Sequence, residues 1–152
     1  MYRVVRLLLA LGLLLGLGIG AVSSANAGSR QLFTSTMAAI PTGGLVINGV
    51  TGGGTPWTID QGDVLLTGDG RLLVHVNHLV LASTHVNPVA MGRAIVTCVG
   101  QAPITTDAVP FSPSGDATVF TTVRLPSPCL APTVFFAGIT GAGDRWLAVT
   151  GF

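Results

Sequence analysis

The chain has 152 residues, with seven arginines, six aspartates and neither lysine nor glutamate. Once the expected leader with Arg3 and Arg6 is removed, five scattered arginines (Arg30, Arg71, Arg93, Arg124, Arg145) face six aspartates, a formal charge of −1. That balance excludes strong electrostatic binding to nucleic acid or anionic lipid. Lys and Glu are the usual fillers of exposed helix positions. A chain without them but rich in Thr, Val and Gly is expected to be all-β.

The N-terminus carries Arg3 and Arg6, an apolar run over residues 7–22, and then Ala25-Asn26-Ala27. This is the layout of a secretory signal peptide cleaved after Ala27. The run is shorter than the ~20 apolar residues that cross a bilayer, so no stable membrane anchor is expected after cleavage. Residues 1–27 therefore read as the signal peptide and residues 28–152 as a single secreted domain.

Along that domain, strands are predicted over 32–38 and 45–50, followed by a glycine-rich loop over 51–56 and Trp57. Two hairpins come next. In DVLLTGDGRLLVHV the loop Gly68-Asp69-Gly70 sets Leu66 opposite Leu72 and Val64 opposite Val74. In AVPFSPSGDATVF the loop Pro113-Ser114-Gly115 sets Phe111 against Ala117 and Val109 against Val119. Both loops place glycine third, where this hairpin type needs a left-handed residue. Further strands are predicted over 93–99, 132–138 and 145–150. Many short strands punctuated by Gly and Pro, with no helical periodicity, predict an antiparallel β-sandwich with immunoglobulin-like connections. Cys98 and Cys129 form an even pair in an exported chain and are expected to make one disulfide.

The strings GRAIVTCVG, PFSPSGDATVFTTVRLPSPCLAPTVFF and RWLAVTGF resemble a group of small exported bacterial β-domain proteins. The resemblance covers residue 92 onward. It implies a secreted β-domain with a stapled C-terminal half, and it supplies no activity and no site.

All three histidines fall in LLVHVNHLVLASTH: His75, His78 and His85. Alternation puts Leu72, Val74 and Val76 on one face, and one extra residue near Asn77-His78 lets Leu79 and Leu81 continue it, as a β-bulge does. His75 and His78 then share the outer face, and His85 can fold back from its loop. Such a cluster would suit zinc, or copper with Met91 added. Polar residues on an exposed sheet face need no function, and a solvated face is the plainer reading of the same residues.

Asp60 and Asp63 could be imagined as an acid–base pair or as calcium ligands, but the EF-hand spacing is absent. Asp69, Asp116 and Asp144 neighbour glycines, as turn aspartates do. The chain has no G-x-S-x-G, S-x-x-K, H-E-x-x-H or P-loop motif, so no enzyme is expected. Trp57, Trp146, Phe111, Phe120, Phe135 and Phe136 read as core. Trp57 on its loop and Leu130 in the Pro-rich loop after Cys129 are also the candidate contacts for a protein or glycan partner. The expected function is a secreted, non-catalytic binding or structural protein at the cell surface or in the medium. A copper or zinc protein using His75, His78 and His85 is the competing reading, with a protease inhibitor or a hydrolase behind it.

Overall fold

A computed structural model describes residues 30–151 of the chain; the expected signal peptide lies outside them. The described residues form thirteen strands and no helix. In chain order these are β1 (Gln31–Ala39), β2 (Val46–Ile47), β3 (Val50–Thr51), β4 (Trp57–Thr58), β5 (Gln61–Thr67), β6 (Arg71–Asn77), β7 (Val80–Leu81), β8 (Met91–Thr97), β9 (Ile104–Thr105), β10 (Val109–Pro110), β11 (Ala117–Thr122), β12 (Thr133–Thr140) and β13 (Gly143–Thr150).

Nine of them make one antiparallel sheet in the order β10-β8-β12-β13-β1-β5-β6-β11, with β9 added beside β8. Strand β1 changes partner midway. Its residues up to Thr36 pair with β5, and Met37, Ala38 and Ala39 pair with Thr150, Val149 and Ala148 of β13. The sheet curls at that strand until β11 at one end touches β8 and β10 at the other. Leu66, Leu72, Val74 and Val76 from one half meet Ala94, Val96, Val134 and Phe136 from the other in a single core. Each such side chain, once fully buried, contributes about 1.5–3 kcal/mol if it is Val, Leu or Phe. Phe111 closes the core, stacked 6.4 Å from Trp57 and edge-on 5.0 Å from Phe136.

The first hairpin has the expected register, Leu66 opposite Leu72 and Val64 opposite Val74. Gly70 is left-handed (φ 89°), and a Cβ there would lie 1.9 Å from the Val123 carbonyl oxygen. The second hairpin is corrected. Its turn closes, with Gly115 N donating to Ser112 O and Ser112 N to Asp116 O, but its arms never form a ladder. Strand β10 pairs with β8, and β11 pairs with β6. Burying Phe111 against Trp57 and Phe136 carries the chain across the core, so the turn joins the two ends of the curled sheet instead of two neighbours.

Two local expectations also change. Residues 45–50 are not one strand: Asn48 (φ 49°) and Gly49 (φ 78°) make a two-residue turn, and β2 and β3 form a small ribbon. Positive φ at both positions is what a type I′ hairpin turn requires. No bulge lets β6 continue through Asn77-His78. The strand ends at Asn77, His78 turns left-handed (φ 52°), Leu79 and Val80 are both fully buried, and β7 leaves to pair with β4. The Cys98–Cys129 disulfide forms as expected and ties the end of β8 to the loop before β12.

Candidate functional site

Alternation on β5, β6 and β11 sends every second side chain to solvent, and the registers line these side chains up in rows. One row runs Thr34, Leu65, Leu73, Phe120 across β1, β5, β6 and β11; the next runs Thr36, Asp63, His75, Thr118. Phe120 is 77% exposed, so it does not belong to the core expected from its residue type. Its place follows from β11 itself: Ala117 and Val119 point inward, which leaves Thr118 and Phe120 outside.

The polar row is tied together by its own hydrogen bonds. Gln61 Nε2 donates to Asp63 Oδ2 at 2.8 Å, and His75 Nδ1 lies 3.0 Å from the Thr118 hydroxyl. An open groove of about 470 Å³ follows this face. It is lined by Thr34, Ser35, Thr36 and Asp63 together with the apolar Leu65 and Leu73. The surface therefore offers an apolar stripe that ends in an exposed ring, flanked by hydroxyl, carboxylate and imidazole groups.

The histidines are placed separately. His75 faces outward in the polar row. His78 sits at the strand end, where its backbone N–H donates to Asp116 Oδ1 at 3.0 Å. His85 is exposed on its loop, with its N–H bonded to Leu81 O at 2.9 Å and φ 55°. Among the described residues, no three His, Cys, Asp or Glu side chains are grouped to hold a metal ion.

Asp116 is the most densely bonded carboxylate. It accepts from the Ser114 hydroxyl (2.6 Å), the His78 N–H, the Asn77 amide (2.9 Å) and the Ser112 hydroxyl (3.2 Å). The Ser114 hydroxyl first, then the His78 N–H, holds its carboxyl below the ordinary aspartate range. Asp69 is lowered as well, chiefly by the Thr67 hydroxyl, and it lies 3.4 Å from Arg71 Nε. Both aspartates close turns, as their glycine neighbours imply.

Trp57 is only 6% exposed and packs in the core. Leu130 is 58% exposed and sits beside Val99, which is 59% exposed and donates its N–H to the Leu130 carbonyl. Two residues escaped the sequence reading. Phe120 was legible from the inward phase of Val119. Asn87, 5% exposed, gave no sequence signal; it donates to the carbonyls of Val89 (2.7 Å) and Ser112 (2.8 Å) and accepts from Val89 N (2.8 Å).

Comparison with protein-family models, with curated proteins and with solved structures finds no match.

Proposed function

We propose that the chain is an exported, non-catalytic binding protein whose outer face over β1, β5, β6 and β11 takes a neutral glycan. The exposed ring of Phe120 in line with Leu73 and Leu65 carries this reading. An apolar stripe of this kind accepts the C–H face of a sugar ring, while neighbouring hydroxyl, carboxylate and imidazole groups exchange hydrogen bonds with its hydroxyls. One exposed ring and two half-buried leucines make a narrow stripe, well short of the area of a stable protein–protein interface, at least about 1,000 Å². The near-neutral charge agrees with an uncharged ligand.

Export is supported by the leader pattern and by the Cys98–Cys129 bond, since disulfides persist in oxidising compartments. As the finer form of the fold we propose a two-layer sandwich with an immunoglobulin-like strand switch, in which β1 serves both layers. The partner change between Thr36 and Met37 supports it.

Calorimetric titration with short neutral oligosaccharides of glucose, mannose, xylose and galactose tests the function. Saturable heat with at least one of them, lost in Phe120→Ala, is expected. Heat that is absent throughout, or indifferent to Phe120→Ala, overturns the reading.

A further inference from the structure

The two ends of the nine-stranded sheet differ. At one end, beyond β8, lie only β9 and β10, two residues each, and β10 ends in Pro110. Very short strands and proline keep a sheet edge from recruiting another strand. At the other end β11 runs for six residues, Ala117–Thr122, in unbroken register with β6, and it contains no proline, no charge and no bulge.

Which backbone groups of β11 face away from β6 follows from the ladder. Val123 N donates to Gly70 O at 2.8 Å. Residues at alternate positions before it, Thr121, Val119 and Ala117, therefore direct their N–H and C=O groups at β6, and Thr118, Phe120 and Thr122 direct theirs at the free edge. Among the described residues no second strand pairs on that side, and no turn or loop backbone bonds to these three residues. All three are exposed, Phe120 to 77%. One position earlier on the same edge, Asp116 O already accepts Ser112 N, so the open stretch begins at Thr118.

We infer that two copies of the chain pair through their β11 edges, antiparallel about a two-fold axis at Phe120. The sequence around that residue selects a second copy as the occupant. In the register that sets Phe120 against Phe120 of the second copy, Thr118 meets Thr122 and Asp116 meets Arg124, and the two-fold axis repeats each match. Every edge residue then donates one N–H and accepts one. The two rings become cross-strand neighbours, a pairing that aromatic side chains favour.

Charge fits the same register. Arg124 is exposed and makes no ion pair among the described residues. The hydrogen bonds to Asp116 come from uncharged donors, the Ser112 and Ser114 hydroxyls, the Asn77 amide and the His78 backbone N–H. Its charge is therefore free to attract a guanidinium across the pair. A contact made by one short strand from each copy is small beside the interface of about 1,000 Å² or more that marks stable association, so the pair is reversible. It leaves the outer face open and joins two rows of Leu65, Leu73 and Phe120 end to end. The inference stands on the edge and its register, and glycan binding is not needed for it.

Sedimentation equilibrium of the protein up to about 1 mM, the weak end of ordinary dissociation constants, should show monomers in equilibrium with dimers. Residue-resolved amide exchange reads the geometry. The Val119 and Thr121 amides should be protected at every concentration, and those of Thr118, Phe120 and Thr122 should slow severalfold as the dimer forms. Thr122→Pro deletes an outward N–H that β6 does not use. It should weaken dimerisation about 10-fold or more, since each copy loses one hydrogen bond. Arg124→Asp sets two aspartates against each other and should weaken it about 3-fold. The exchange measurement uses the wild type, so it decides the matter whether or not Thr122→Pro folds. The inference is overturned by any of three results: a monomer at every concentration, a dimer in which the Thr118, Phe120 and Thr122 amides exchange as fast as in dilute protein, or a dimer affinity that neither folded variant lowers.

Discussion

The Asp116 carboxylate accepts the His78 backbone N–H at 3.0 Å across 38 positions of sequence, and this bond fastens the end of β6 to the turn that crosses the core. His78 is left-handed there, and Asp116 is held mainly by Ser114 and then by His78. Asp116→Ala removes bonds to a charged acceptor, each of which carries about 1.5–3 kcal/mol. A loss of about 2–3 kcal/mol in urea unfolding is expected.

The same carboxylate sets the acid limb of stability. Its folded pKa, like that of Asp69, lies below the ordinary value of 3.8, so the folded chain binds fewer protons than the unfolded one as pH falls through this region. The stabilisation is complete above the unfolded value and is lost as pH drops through the folded value. Unfolding midpoints measured between pH 6 and pH 2, as a scan of about that range, should fall steeply only below about pH 4. Asp116→Asn should flatten that slope.

Gly70 and Gly100 separate two costs that are often merged. Both have positive φ, 89° and 75°, but an added Cβ meets the Val123 carbonyl at 1.9 Å only at Gly70, and Gly100 has open space. Gly100→Ala should cost about 1–2 kcal/mol, the left-handed penalty alone. Gly70→Ala should cost clearly more, since β6 and the chain after β11 must also move apart. Thermal melts of the two variants provide the comparison.

The parts of the fold legible beforehand were those fixed by neighbours in sequence. The Gly68-Asp69-Gly70 loop sets its own register, and alternation alone decides which side chains of β5 and β6 point inward. What eluded the sequence depends on distant partners. The turn at Pro113-Ser114-Gly115 is local, but whether its arms pair is decided by Phe111 finding Trp57 and Phe136 across the core. The Asn48-Gly49 turn was a readable signal inside an apparently continuous strand.

Removing the disulfide tests the staple. It closes 31 positions of chain, and the paired change of Cys98 and Cys129 to Ser should lower stability by about 3–4 kcal/mol on the loop-entropy model. Denaturant unfolding of oxidised and variant protein measures the difference.

Metal titration addresses the histidines. His75 Nδ1 is engaged by Thr118, His78 sits at a strand end, and His85 lies on its own loop. Calorimetry with Cu(II) and Zn(II) should give no saturable heat that depends on His75 and His78. A stoichiometric site lost in the paired alanine variant would establish the metal reading instead.

Amide and side-chain shift mapping, with whichever oligosaccharide shows calorimetric binding, probes the glycan face most directly. Perturbations should gather on Asp63, Leu65, Leu73, His75 and Phe120. Phe120→Ala should erase them while changing stability by less than about 0.5 kcal/mol, as expected for an exposed side chain. Perturbations centred elsewhere, or persisting at full size in Phe120→Ala, would contradict the account.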